Sequence, residues 1–181
     1  MEPVEGRPTV HLAILALAAV CREVIVVRPP GQSLELPGGI AVPAVVVHDA
    51  RPYEGPLAGA AVGLACASQP LALVVGGDMP SLVRAALVIL LCAAERSYRP
   101  AVALAEDGRL RPLPCVVRRD ALSLAQGLLR QGRHSLQDFL GTLQVELVGD
   151  EEWRAVDPFA RTLADIDLPG ERPAFRPGAE T

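Results

Sequence analysis

Three stretches of the chain are apolar at nearly every position rather than at alternate ones. Residues 23–27 (EVIVV), 43–48 (PAVVVH) and 71–75 (LALVV) read as buried strands rich in β-branched and aliphatic side chains. Between and after them, small apolar residues recur with helical spacing over 9–21, 57–67 and 81–97. Pro8 stands where a first helical turn tolerates proline, and Ser81 is placed to cap the third helix. Residues 31–42 read as a loop. Strands over 100–105 and 110–118 flank Glu106-Asp107-Gly108-Arg109, a hairpin-like turn. Short helices are expected over 121–130 and 135–140, and a last strand over 145–148. Apolar strands alternating with helices predict an α/β fold, a mostly parallel sheet with helices on both faces. The chain has no internal repeat. It is expected to form a single domain over residues 1–170. From Glu171 the composition turns to proline, charge and small residues, which predicts a disordered tail over 171–181.

The chain has 181 residues, half of them hydrophobic but only 3% aromatic, so the core must be aliphatic. A net charge of −4 offers no basic footprint for nucleic acid and no polybasic patch for a membrane. All 17 basic residues are arginine. A mechanism needing a lysine from this chain is therefore excluded. The apolar run at 12–21 lacks the positive residues that precede a secretory signal, and it is too short to span a bilayer. A cytoplasmic protein is expected. Cys21, Cys66, Cys92 and Cys115 each lie in an apolar run without metal-ligand spacing, which predicts buried, reduced thiols. His11, His48 and His134 show no ligand spacing either, and Trp153 is most simply a packing residue.

In a parallel sheet, ligands bind beyond the carboxyl ends of the strands. Asp49 and Asp78 stand at two such ends. Asp78 follows Gly76-Gly77 and precedes Met79-Pro80, a setting in which a carboxylate can hold Mg²⁺ beside phosphates; it can equally cap the next helix. Gly55-Pro56-Leu57-Ala58-Gly59 opens the helix after Asp49. It is either a tight turn with proline at the first helical position or a surface of small residues against a nucleotide.

Taken together, strand-Asp49, Gly55-Pro56-Leu57-Ala58-Gly59 and strand-Gly77-Asp78-Met79-Pro80 resemble the molybdenum cofactor guanylyltransferase family, nucleotidyltransferases on a Rossmann-like three-layer sheet. Arg111-Pro112-Leu113 and the strand from Cys115 resemble a further family segment, as does Leu163-Ala164-Asp165-Ile166-Asp167-Leu168-Pro169-Gly170-Glu171 near the carboxyl terminus. The resemblance implies transfer of GMP from GTP to the terminal phosphate of molybdopterin, with Mg²⁺ and release of pyrophosphate. It implies Asp78 as the catalytic metal ligand, and Asp49, Gly55, Pro56, Leu57, Ala58 and Gly59 as nucleotide contacts. Pro112, Leu113, Asp165 and Asp167 would line the pterin side, with Asp167 a weaker candidate for the metal. GTP and molybdopterin are the implied partners, with molybdoenzymes or their chaperones as further ones.

The family opens with a strand and a glycine-rich loop that cradles the triphosphate and supplies a lysine. This chain starts with Met1-Glu2-Pro3-Val4-Glu5-Gly6-Arg7-Pro8, and Arg28-Pro29-Pro30 stands where the family carries an asparagine. The expectation is a start codon placed too late, or a degenerate relative, and impaired transfer by the chain as it stands. The alternatives are a CMP-transferring relative and a non-catalytic partner that carries molybdopterin or docks on molybdoenzymes.

Overall fold

The structure, a computed structural model, describes residues 3, 4, 7–49 and 55–164. A two-residue ladder of β1 (Pro3–Val4) and β2 (Arg7–Pro8) leads into helix α1 (Thr9–Ala18), which hands over to strand β3 (Val24–Arg28). The expected loop follows, and β4 (Ala44–His48) then pairs with β3 in parallel, Val24 opposite Ala44 through Arg28 opposite His48. Helix α2 (Pro56–Cys66), strand β5 (Leu71–Val74) and helix α3 (Arg84–Arg96) complete the first half.

The second half begins with the hairpin of β6 (Ala101–Glu106) and β7 (Arg109–Arg118), whose turn holds Asp107 and Gly108 at positive φ. Helices α4 (Leu122–Arg130) and α5 (Leu136–Gly141), strand β8 (Val145–Val148) and helix α6 (Asp150–Arg154) follow. Four strands form one sheet in the order β5-β7-β6-β8. β7 runs antiparallel to both of its neighbours, while β6 and β8 are parallel.

Alternation along the strands sorts side chains onto two faces. Val24 and Val26 pack with Val10 and Ile14 of α1. On the opposite face Val27 reaches α2, with methyl carbons about 4 Å from the Cβ positions of Gly59 and Gly63. In the larger sheet, Ala101, Ala103, Cys115 and Val117 pack against α2, α4 and α5. Val102, Leu104 and Val116 face α3 and Trp153. Helix α2 thus lies across both sheets on one face, with α1 and α3 on the other. This is the three-layer α/β arrangement the pattern predicts. Among the described residues Phe139 and Trp153, both fully buried, are the aromatic members of an otherwise largely aliphatic core, and the Trp153 indole N–H donates to the Ala105 carbonyl at 2.7 Å.

Two expectations are corrected. Ser81 does not cap α3, which starts three residues later; the backbone N–H of Val83 donates instead to the hydroxyl of Thr162 at 3.1 Å. The thiols are free but not uniformly buried, since Cys66 and Cys92 lie on exposed helix positions and only Cys115 is fully enclosed. Apolar neighbours in sequence do not bury a helical residue that points away from the sheet. The segment over 171–181 lies outside the described residues. Among those described, no helix is long and apolar enough to cross a membrane.

Candidate active site at the strand ends

The carboxyl ends of β3, β4 and β5 meet the amino end of α2. Asp49 directly follows β4, and its N–H donates to the Arg28 carbonyl at 2.9 Å, so the ladder with β3 continues to the acid itself. Its side chain turns towards α2, with Oδ2 4.0 Å from the Cβ position of Gly59. Gly59 therefore leaves a bare strip of helix beside the carboxylate.

Gly55 adopts φ 85° and ψ 172°, a region open essentially to glycine alone. A Cβ there would stand 3.0 Å from both Cβ and O of His134. The same His134 carbonyl accepts the N–H of Leu57 at 3.2 Å, and the N–H of Ala58 donates to the Gly55 carbonyl at 3.2 Å. Pro56 has no N–H to give. The first amides of α2 are thus committed within the protein. This helix end cannot serve as the donor cradle that helix N-termini often offer to phosphate. What residues 55–59 expose to a ligand is the small-residue surface around Gly59. His134, which shapes this corner, carries no sequence signal beyond its place before the Ser135 N-cap, whose hydroxyl accepts the N–H of Asp138 at 3.1 Å.

Asp78 is exposed at the end of β5. The turn beneath it is held by the buried Met79, whose sulfur accepts the Gly76 N–H at 3.3 Å. The Asp78 carboxylate folds back over Gly76 so closely that a Cβ at Gly76 would overlap Oδ1. Glycine at 76 is what allows the carboxylate to sit there.

Pro112 and Leu113 fall on the same side of the sheet. β5 ends at Val74 opposite Cys115, so residues 111–114 of β7 extend past the carboxyl end of β5, towards Gly76 and Gly77. The β6–β7 register also breaks here, with Ala103 opposite Cys115 and Ala105 opposite Leu110. Residues 111–114 bulge out of the ladder, as strands often do where they present residues to a site. Leu113 lines the same cleft as Pro56, Gly59, Gly76 and Gly77. Asp165 and Asp167 lie outside the described residues. Among those described, no three acids, histidines or cysteines gather into a metal cage. Of the described carboxylates at these strand ends, Asp49 and Asp78, Asp78 is the more exposed, and a donor set of one or two carboxylates suits an ion keeping most of its water.

A second polar system, unforeseen from the sequence, sets the start of α3 behind Asp78. Asp157 is buried, and its carboxylate accepts the N–H groups of Arg161 and Thr162 at 2.9 and 2.7 Å. Burial works against its charge. The N–H and hydroxyl of Thr162 and the N–H of Arg161 outweigh that and hold the carboxyl below its usual range. The Thr162 hydroxyl in turn caps α3 through Val83.

The chain matches the family described as the MobA-like NTP transferase domain over residues 1–148. It is 30% identical over 174 residues to a probable molybdenum cofactor guanylyltransferase of Chloroflexus aggregans, an alignment covering 92% of this chain and 78% of that one. The corresponding protein of Pseudomonas aeruginosa strain PAO1 is 35% identical over 125 residues, covering 69% of this chain and 60% of that one. A probable guanylyltransferase of Deinococcus radiodurans, 32% identical, is spanned over 65% of its length and 74% of this chain. Among solved structures, molybdopterin-guanine dinucleotide biosynthesis protein A from Archaeoglobus fulgidus superposes with a TM-score of 0.59 at 21% identity, covering 68% of this chain and 62% of that one. The 2-C-methyl-D-erythritol 4-phosphate cytidylyltransferase of Thermus thermophilus does so at 0.64 and 23%, covering 91% and 85%. At those identities the structures speak for the fold. The family match over most of the chain and the relative at 30% identity carry the assignment, and the chain belongs to the MobA-like nucleotidyltransferases of molybdenum cofactor biosynthesis.

Proposed function

We propose that the chain binds a guanine nucleotide between Asp49 with Gly59 and Asp78, and transfers GMP from GTP to molybdopterin. The observation that carries this reading is the bare strip of α2 at Gly59, held 4.0 Å from the Asp49 carboxylate at the carboxyl ends of the strands. A carboxylate beside a helix position that carries no side chain suits a flat base or ribose, with Asp49 accepting hydrogen bonds from it. The committed amides of Leu57 and Ala58 favour base or ribose over phosphates at this corner.

In the proposed transfer, an oxygen of the acceptor's terminal phosphate bonds to the α-phosphorus of GTP. The bond from that phosphorus to the bridging oxygen breaks, and pyrophosphate leaves. The attacking oxygen is already anionic, so the chain needs no strong general base. Its task is alignment and charge neutralisation. Mg²⁺, when bound, neutralises charge on the phosphates, and Asp78 is the residue that would hold it. Pro112 and Leu113, bulged past the end of β5, would face the pterin, with Asp165 and Asp167 further contacts on that side. The chain has no lysine to offer the phosphates, so its turnover is expected to be slow.

The test is transfer of label from α-³²P-GTP to molybdopterin with Mg²⁺, with unlabelled CTP as competitor. Slow, Asp78-dependent labelling that excess CTP leaves unchanged is expected. Preferential use of CTP would make this a cytidylyl enzyme. Absence of nucleotide binding by calorimetry would overturn the site.

A further inference from the structure

The loop that follows α6 reverses the usual distribution of polarity. Val156, Pro158 and Phe159 are exposed, Phe159 at 85%, while Asp157, the charged residue between them, is buried. The chain has three phenylalanines, and one of them stands in water here. It forgoes the burial from which an aromatic ring draws its stabilisation. Tyr98 is exposed as well, but its hydroxyl bonds water; Phe159 has no polar side-chain atom.

The backbone builds this exposure. The N–H of Asp157 donates to the carbonyl of the buried Trp153 at 3.1 Å, so the turn of α6 runs on into the loop. The N–H of Ala160 donates to the Asp157 carbonyl at 3.0 Å, and the Asp157 carboxylate takes the N–H groups of Arg161 and Thr162. Between these bonds Ala160 is held at φ 50°, a left-handed conformation uncommon for any residue but glycine. The tip is fastened before and after Phe159, with a strained residue directly behind the ring. Strain of this kind persists where the surrounding structure over-determines it, and it collects at surfaces that are used. A tip fixed in advance binds without the entropy loss of ordering a loose loop.

The charges around the tip are sorted by end. Glu151 and Glu152 of α6 precede it, exposed, with Glu152 one helical turn before Val156. Arg161 follows it, and Arg84 stands next to Val83, whose N–H bonds the Thr162 hydroxyl; both arginines are exposed. Among the described residues none of these four side chains has an ion-pair partner. An apolar tip therefore lies between an acidic end and a basic end. A two-fold axis through Phe159 lays the acidic end of one copy on the basic end of another, so the patch is its own complement. A partner of one charge sign would meet like charge at one end.

We propose that this loop is a self-association surface, through which two copies of the chain pair about a two-fold axis. Phe159 of each copy packs at the centre, with Glu151 and Glu152 of one facing Arg161 and Arg84 of the other. The proposal uses none of the atoms of the nucleotide reading and stands without it.

The test is sedimentation equilibrium of the full chain over a wide range of protein concentration. A monomer–dimer equilibrium that weakens with added salt is expected. Phe159→Ser should raise its dissociation constant at least tenfold, as loss of a central aromatic anchor does, and leave circular dichroism and melting unchanged, since the ring is exposed. Glu152→Arg and Arg161→Glu should each weaken the dimer, because each sets like charges against one another across the axis. Mixing those two variants should restore pairing as a heterodimer, in which every acid again meets an arginine. The double variant carrying both changes should dimerise like the parent. A chain that stays monomeric throughout would overturn the proposal. So would a dimer indifferent to Phe159→Ser, which would place the contact on another surface, or a mixture of the two charge variants that fails to pair. A monomeric chain that floats with phosphatidylserine vesicles only when Phe159 is present would assign the tip to a lipid surface instead.

Discussion

The Asp49 carboxylate lies over Gly59, with Oδ2 4.0 Å from the position a Cβ would take. That spacing is ordinary van der Waals contact, so an alanine fits the fold. It separates two effects that usually travel together. Gly59→Ala removes a flexible residue from a helix interior and should stabilise the chain by about 0.5–1 kcal/mol. The same methyl occupies the strip that the proposed nucleotide would cover. The expected outcome is a melting midpoint raised by a few degrees and GTP binding weakened about tenfold by calorimetry. A variant that is more stable and binds GTP as well as the parent would remove α2 from the nucleotide site.

Gly55 behaves in the opposite way. Its backbone is in a glycine-only region, and a methyl would press on His134 at 3.0 Å, against the carbonyl that holds Leu57. Strain and overpacking add here, so Gly55→Ala should cost about 2–4 kcal/mol in urea unfolding. A cost below 1 kcal/mol would mean that the α5 corner yields easily.

The layers of the fold are written into local patterns. Apolar strands gave the sheet, Glu106-Asp107-Gly108-Arg109 gave the hairpin, and Ser135 gave a helix start, because each depends on neighbours within a few residues. The start of α3 was not legible. It is fixed by Thr162, 79 positions downstream of Val83, and Thr162 is in turn placed by Asp157. Nor does a polar run such as Asp150-Glu151-Glu152 announce a helix of five residues by periodicity. At the site, the strand-end positions of Asp49 and Asp78 were readable, but the commitment of the α2 amides to His134 was not. A carbonyl leaves no trace in the residue type that bears it.

The Asp157 network predicts an acid response. Its carboxyl is held below the ordinary value of 3.8, so the unfolded chain binds that proton more tightly than the folded chain. The stabilisation is therefore complete above pH 3.8 and is lost as pH falls through the lower folded value. Asp157→Ala, which leaves the buried Thr162 N–H and the half-buried Arg161 N–H without their acceptor, should cost about 2–3 kcal/mol at pH 7. The gap between variant and parent should narrow as the pH is brought below 4. A gap that stays constant from pH 7 to pH 3 would show that the carboxylate's charge contributes nothing.

Thiol reactivity should divide by exposure rather than by sequence setting. Burial pushes the Cys115 thiol up to about 12 and raises that of Cys21, while Cys66 and Cys92 are exposed. Since the thiolate is the reacting form, two thiols should react quickly with a disulfide reagent at pH 8, Cys21 more slowly, and Cys115 only on unfolding. Rapid labelling of Cys115 in the folded chain, read by peptide mass spectrometry, would show that the layer between α2 and the sheet opens readily.

Gly76 and Asp78 offer a way to reach the proposed metal ligand without touching its chemistry. The Asp78 carboxylate occupies the space a Cβ at Gly76 would fill, and the Met79 side chain lies 3.2 Å from that point. Gly76→Ala must therefore swing the carboxylate aside. Asp78 is exposed and at the end of a flexible side chain, so the displacement should cost less than about 1 kcal/mol of stability, within the range of surface changes. If the carboxylate holds the ion in the position seen over Gly76, Gly76→Ala and Asp78→Asn should both weaken Mn²⁺ binding in the presence of GTP, measured by electron paramagnetic resonance. Asp78→Asn should do so by tenfold or more, because a neutral amide replaces the charged ligand, and Gly76→Ala by less, because the charge remains nearby. Full retention of Mn²⁺ affinity in Asp78→Asn would move the metal to other ligands. Loss in Asp78→Asn with none in Gly76→Ala would show that the ion is held by a rotamer turned away from Gly76.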